Sequence, residues 1–264
     1  MVIDFHTHIF PDYLAEHALS VLLTGSNNFY DPVSDATLSG LLKNMDDWGI
    51  DRSVVQPVVT KASQVQKTNE WAQSICSDRI ISFGGIYPHS ADYKAAIDSV
   101  VDLGLKGIKF HSEYQDFVVD DPAVMKIYDY ALSKGLILMI HAGFDPGFQP
   151  PFKSSPRQFA NILAAMQGGT IIAAHLGGHD QWDDVERYLV GKDIYFDTSM
   201  GFEYYPHEQF KRIVKDHGAD KILFASDSPW SSAKTEYEAI QTIGLTQSEM
   251  TAITGGNAIR LLGL

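Results

Sequence analysis

A single cysteine, Cys76, stands in 264 residues, so no internal disulfide can staple the fold, and the chain suits a reducing compartment. Basic residues are scarce: 20 Lys and Arg against 33 Asp and Glu give a formal charge of −13. Such a field repels polyanions, which argues against nucleic acid and anionic membrane as partners. No apolar run reaches the roughly 18–20 residues of a membrane span. The N-terminus enters an apolar strand-like run without a basic leader region, and a cytoplasmic protein is the expectation. No Gly-x-Gly-x-x-Gly follows that run, which weakens a dinucleotide-binding open sheet. No Gly-x-Ser-x-Gly occurs either, which removes the sequence support for a serine hydrolase.

What is present is a recurrence of short, β-branched apolar runs. The pattern predicts strands near 2–9, 53–59, 80–86, 105–111, 136–142, 170–176, 194–200 and 221–227. Between most of them lies helical periodicity. Val124, Ile127, Tyr128, Ala131 and Leu132 form one stripe, with Pro122 just inside its start and Gly135 just past its end. Leu38, Leu41, Leu42, Met45 and Trp48 form another, closed by Gly49. Eight strands alternating with helices, about 33 residues per unit, suit an α/β fold of the (β/α)8 TIM-barrel type spanning 1–264 as one domain. A doubly wound open sheet is the rival. The segment from Gly143 to Pro156, rich in proline, is long for a connection and could cover a site.

The chemistry concentrates at strand ends. In Val2-Ile-Asp-Phe-His-Thr-His-Ile-Phe10, His6 and His8 stand two apart and share a face, as two ligands of one ion must, with Asp4 one step deeper on that face. The fifth run ends in His141, the sixth in His175 and the eighth in Asp227. In a parallel barrel all strand C-termini open on one rim, where active sites of this architecture sit. Each residue alone is explained by ordinary structure, since a strand-end histidine is usually hydrogen-bonded and an Asp there usually forms a turn. Four such ends together point to a divalent metal.

These ends, with Asp4-Phe-His-Thr-His8, Gly107-Ile-Lys-Phe-His111, His141-Ala-Gly143, Ala174-His-Leu-Gly-Gly178 and Phe224-Ala-Ser-Asp-Ser-Pro-Trp230, resemble the amidohydrolase superfamily. The likeness is to its amidohydrolase-2 branch, which includes aminocarboxymuconate semialdehyde decarboxylase and related decarboxylases and lactonases. The resemblance implies that His6, His8, His141 and Asp227 ligate one ion, with Asp227 and His175 handling protons. Three imidazoles and a carboxylate suit zinc and leave room for water. On the fourth strand Lys109 and His111 share a face. Lys109 could be carbamylated and bridge a second ion, hold a substrate carboxylate, or pair with Asp4 or Glu113; a substrate or structural role and one ion are the expectation. His111, Phe144 and Trp230 join Lys109 as candidate substrate contacts. Phe10, Tyr114, Gln115, Phe148, Phe202 and Tyr204 would extend an aromatic-rich wall, and Lys153 and Arg157 stand where they could hold a carboxylate from above. His17, His89, His207 and His217 read as loop or surface residues.

The expected function is a metal-dependent hydrolase of a small-molecule ester, lactone or amide. Non-oxidative decarboxylation of an aromatic or unsaturated acid is the alternative. A nuclease of the TatD type would call for a glutamate on the fourth strand, where this chain has Lys109 and His111, and a structural zinc would not need a spare His175. A small molecule is the expected partner, and a homodimer is an allowed assembly.

Overall fold

A computed structural model describes residues 1–166 and 168–264. Parallel strands are joined by helices: β1 (Ile3–Thr7), β2 (Arg52–Val55), β3 (Ile80–Ser82), β4 (Gly84–Gly85), β5 (Gly107–Phe110), β6 (Ile137–Ile140), β7 (Ile171–Ala173), β8 (Tyr195–Asp197) and β9 (Ile222–Leu223). They form one three-stranded run, β1-β2-β3, and one six-stranded run, β4 to β9, each in sequence order. β3 and β4 are two halves of one strand broken at Phe83, whose N–H still donates to Val55 O at 2.9 Å. At the other seam Phe5 N donates to Phe224 O at 2.9 Å, Asp227 N to His6 O at 2.8 Å and His8 N to Ser228 O at 2.6 Å. The first strand thereby meets the last and the ring of eight closes, which removes the open-sheet alternative.

The strands are short because the segment beyond each turns into the rim. Both strand faces are buried, as βα crossovers require. In β6, Ile137 and Met139 join an inner cluster with Phe5, Val54, Phe83, Ile172 and Leu223, while Leu138 and Ile140 pack outward among the helices. Gly107 is required by this interior, since a Cβ there would lie 2.5 Å from both Ile137 O and the Phe83 ring. The helix stripes land as the pattern requires. α2 (Leu38–Trp48) ends at Gly49 with φ 72°, and α5 (Pro122–Ser133) opens on the Asp121 side chain, which accepts from Ala123 N.

One expectation fails here. The β1–β2 ladder slips by a residue between Asp4 and Thr7, a bulge that separates the two ends of β1. Phe5 belongs to the inner cluster, and beyond the bulge His6 and His8 still face the rim. Asp4 does not join them: its carboxylate accepts from Ser226 Oγ (2.6 Å) and Ser226 N (2.9 Å), stitching the closing seam. Lys109 therefore does not pair with Asp4. Nor does it pair with Glu113, whose carboxylate accepts from Lys153 N at 2.7 Å.

Candidate metal centre

Three atoms converge just above β1. His6 Nε2 and His8 Nε2 stand 3.1 Å apart, and Asp227 Oδ1 lies 3.3 Å from the first and 3.1 Å from the second. Ligands about 2.1 Å from one tetrahedral or octahedral ion are separated by roughly 3.0–3.4 Å, so this triangle fits a single divalent cation. The imidazole planes meet at 65°, so the two in-plane lone pairs can converge. Asp227 is brought round by a left-handed backbone, φ 68°, at the end of the last strand.

The hydrogen bonding behind this triangle sets the tautomers. Asp197 Oδ2 faces His6 Nδ1 at 2.8 Å, and a carboxylate only accepts, so Nδ1 carries the hydrogen and Nε2 offers its lone pair. Ser199 Oγ donates to Asp197 Oδ1 at 2.6 Å, which leaves it to accept from His175 Nδ1 at 2.9 Å. His175 is thus also protonated on Nδ1, with the Nε2 lone pair turned toward His141. Burial raises the Asp197 pKa, opposed by the donors Ser199 Oγ, His175 N and Ser199 N. Desolvation, helped by neighbouring cationic groups, holds His6, His141 and His175 well below the ordinary imidazole range, so they are neutral and ready to ligate.

His175 also departs from strand parity. Ile172 and Ala174 point into the barrel, which would send His175 outward; a left-handed turn at His175 (φ 57°) and Leu176 (φ 54°) returns its ring to the rim. There its Nε2 lies 3.1 Å from His141 Nδ1. His141 stands outside the His6–His8–Asp227 triangle, and its Nε2 is buried without a partner. Among buried polar atoms that is uncommon, and a lone pair awaiting a cation accounts for it.

Lys109, 1% exposed, points inward from β5 and its Nζ lies 2.9 Å from His6 Nε2. Burial pulls its pKa down to about 8, against the pull of Asp227 and Asp197. His111 stacks on His141 at 4.0 Å with 16° between planes, and its Nε2 lies 3.3 Å from Asp145 Oδ2. Rings so nearly parallel cannot both aim in-plane lone pairs at one ion, so His111, His141 and Asp145 do not make a second seat.

Aromatic rings roof the site. Tyr30 packs on Trp230 at 5.9 Å, Phe29 on Phe144 at 6.0 Å and Tyr114 on Phe148 at 5.1 Å. The segment carrying Phe29 and Tyr30 follows α1 (Asp12–Gly25) and is tied down by Val33 N donating to Pro229 O at 2.8 Å. Phe144 and Phe148 belong to the proline-rich loop, which touches the site through Asp145 on His111 and Phe144 on His179. Other expected contacts are structural. Gln115 spans three backbone groups (Val59 O, Ile86 O and His111 N), and Phe202 packs on Tyr205 and Phe210. Lys153 pairs with Asp116, and Arg157 is exposed at the start of α6 (Pro156–Ala165). His217, expected at the surface, is buried against Phe196 and bonded to Ile194 O. Asp197, Ser199, Asp145 and Tyr30 were not singled out by the sequence; the one available signal was Asp197, closing an apolar run as His141 and Asp227 do.

No curated protein matches this chain. Among solved structures it is similar over its full length to 5-carboxyvanillate decarboxylase LigW from Sphingomonas paucimobilis, with 14% identity, 99% of that chain covered and a TM-score of 0.74. A dihydroxybenzoic acid decarboxylase from Polaromonas sp. JS666, solved with manganese and 2-nitroresorcinol, gives 13% identity and a TM-score of 0.74, with 100% of this chain and 97% of that one covered. A probable 2-pyrone-4,6-dicarboxylic acid hydrolase from Acinetobacter baumannii gives 16% and 0.68, with 100% and 99% covered. At these identities the likeness is one of fold. Among the described residues no helix is long and apolar enough to cross a membrane. The sequence model of the amidohydrolase family matches residues 3–264, and with that match, and a barrel whose rim brings together a triad that could hold a metal ion, this chain is an enzyme of the amidohydrolase family.

Proposed function

We propose that the chain is a metal-dependent hydrolase of a small, uncharged ester, lactone or amide, with His6, His8, His141 and Asp227 holding one divalent ion, zinc by its donor set. The observation that carries this reading is Asp227 Oδ1 standing 3.1 Å from His8 Nε2 and 3.3 Å from His6 Nε2. A divalent ion held there would supply a lowered pKa to bound water and polarisation to a carbonyl. Asp227 is then placed to take a proton from the attacking water, while Asp197 keeps His6 in the ligating tautomer and Ser199 holds His175 by Nδ1. His141 supplies its orphan Nε2, with Nδ1–H donated to His175 Nε2. His175 is held by Ser199 on one side and His141 on the other, so it takes up a proton on Nε2 only by releasing His141.

Lys109 supports a second reading. A buried ammonium beside His6 would neutralise a substrate carboxylate, as decarboxylation needs, and the decarboxylases named above share the fold. The same lysine, as a carbamate, would bridge a second ion held by the facing nitrogens of His141 and His175. The test is elemental analysis of the purified protein together with a screen of esters, lactones and aromatic acids. One ion per chain and hydrolysis without CO2 release support the reading. CO2 release moves the function to carboxy-lyase, and two ions per chain move His141 and His175 to a second seat.

A further inference from the structure

Among the described residues, one buried histidine beside the centre has no hydrogen-bond partner at either ring nitrogen. His179 is 3% exposed, and neither of its ring nitrogens meets a donor or acceptor. Its backbone is fixed: its N–H donates to Ala142 O at 2.9 Å and its carbonyl accepts from Phe144 N at 3.0 Å. Gly143, at φ 87°, lies against this rung so closely that a Cβ would stand 2.4 Å from His179 N and O. The ring is boxed by Tyr204 (5.2 Å), Phe144 (5.5 Å) and Trp182 (5.7 Å), and lies 5.8 Å from His175.

A neutral imidazole has one donor and one acceptor, and buried polar atoms in native proteins nearly always find partners. A rigid backbone that presents both nitrogens unpaired points to a partner that arrives with the ligand, displacing water. The charged groups that act on the ring, Asp180, Asp227 and Asp145, are all acidic. A carboxylate only accepts and would leave one ring nitrogen unpaired; an uncharged group that both donates and accepts satisfies both.

We propose that His179 is a substrate-contacting residue, its two ring nitrogens taking a hydroxyl or carboxamide on an uncharged, flat ligand that seats against Phe144 and Tyr204. This rests on the proposed function only in placing the ligand beside the ion. Half-exposed Tyr204 and Phe29 mark the way in.

The metal-loaded full chain is titrated with phenol, benzamide and benzoate, read by calorimetry and by 15N signals of the histidine rings. Phenol and benzamide are expected to bind and to shift the His179 ring nitrogens, with benzoate leaving them unmoved. His179→Phe is expected to weaken phenol binding about tenfold or more. It is also expected to keep its ion and to raise Tm by about 2–4 °C, because an unpaired polar ring has become an apolar one. His179→Gln, which keeps a donor and an acceptor, should retain part of the affinity. Unmoved ring signals in the wild type overturn the proposal. So does a His179→Phe variant that binds phenol normally, or a Tm that falls with binding intact, which would make the residue structural. Ring shifts with phenol alongside failure of every ester and lactone would sink the hydrolase reading and leave this one standing.

Discussion

Asp197 and His6, 191 residues apart in sequence, meet at 2.8 Å, and that contact decides which nitrogen of His6 faces the ion. Replacing Asp197 by Ala frees the ring to adopt the other tautomer and removes the acceptor that also anchors Ser199 and His175. Metal affinity is expected to fall about 10–100-fold. Competition with a chelator checks it, and Asp197→Asn, which can still accept through its carbonyl, should fall less.

Removing a member of the proposed ligand set should do more. Asp227→Asn, His8→Ala and His141→Ala are each expected to purify with little ion and to lose activity by orders of magnitude. Metal content by mass spectrometry is the readout, and normal content in all three would remove the assignment.

His175→Ala is expected to keep an ion, bound about 10–100-fold more weakly because His141 loses its acceptor, and to lose turnover. Complete loss of the ion would instead identify His175 as a ligand.

Glu236 tests the packing around the rim by pH. It is 3% exposed, accepts from Ser231 Oγ at 2.9 Å and Phe202 N at 3.3 Å, and burial pushes its pKa up to about 8. Between the ordinary 4.5 and about 8 the folded chain binds more protons than the unfolded one, so this group's contribution makes stability fall as pH rises through that window. Glu236→Gln lacks the titration. Measured against the wild type in urea, it should gain on the order of a few kcal/mol between pH 4 and pH 9. An unchanged difference across that range would place the carboxylate outside the interior.

The sequence disclosed the barrel because both strand faces are apolar and the helices carry clear caps, as at Asp121, Pro122 and Gly49. It disclosed His6, His8, His141, His175 and Asp227 because each closes an apolar run. It did not disclose where parity breaks. The bulge in β1 takes Asp4 away from His6, and the left-handed turn at His175 restores a ring that alternation would send outward; neither is written in a periodicity of two. Asp197 escaped because an Asp after a strand ordinarily ends it. Tyr30 escaped because loop residues have no period, and their reach depends on partners such as Trp230.

The donors of the triad straddle the seam between the first and last strands, where Asp227 N bonds His6 O and His8 N bonds Ser228 O. Two of those donors come from the first strand and the residue that follows it, the third from the segment after the last, so neither end of the ring presents the triad alone. Closing the ring is therefore the same event as bringing the three donors within 3.3 Å of one another.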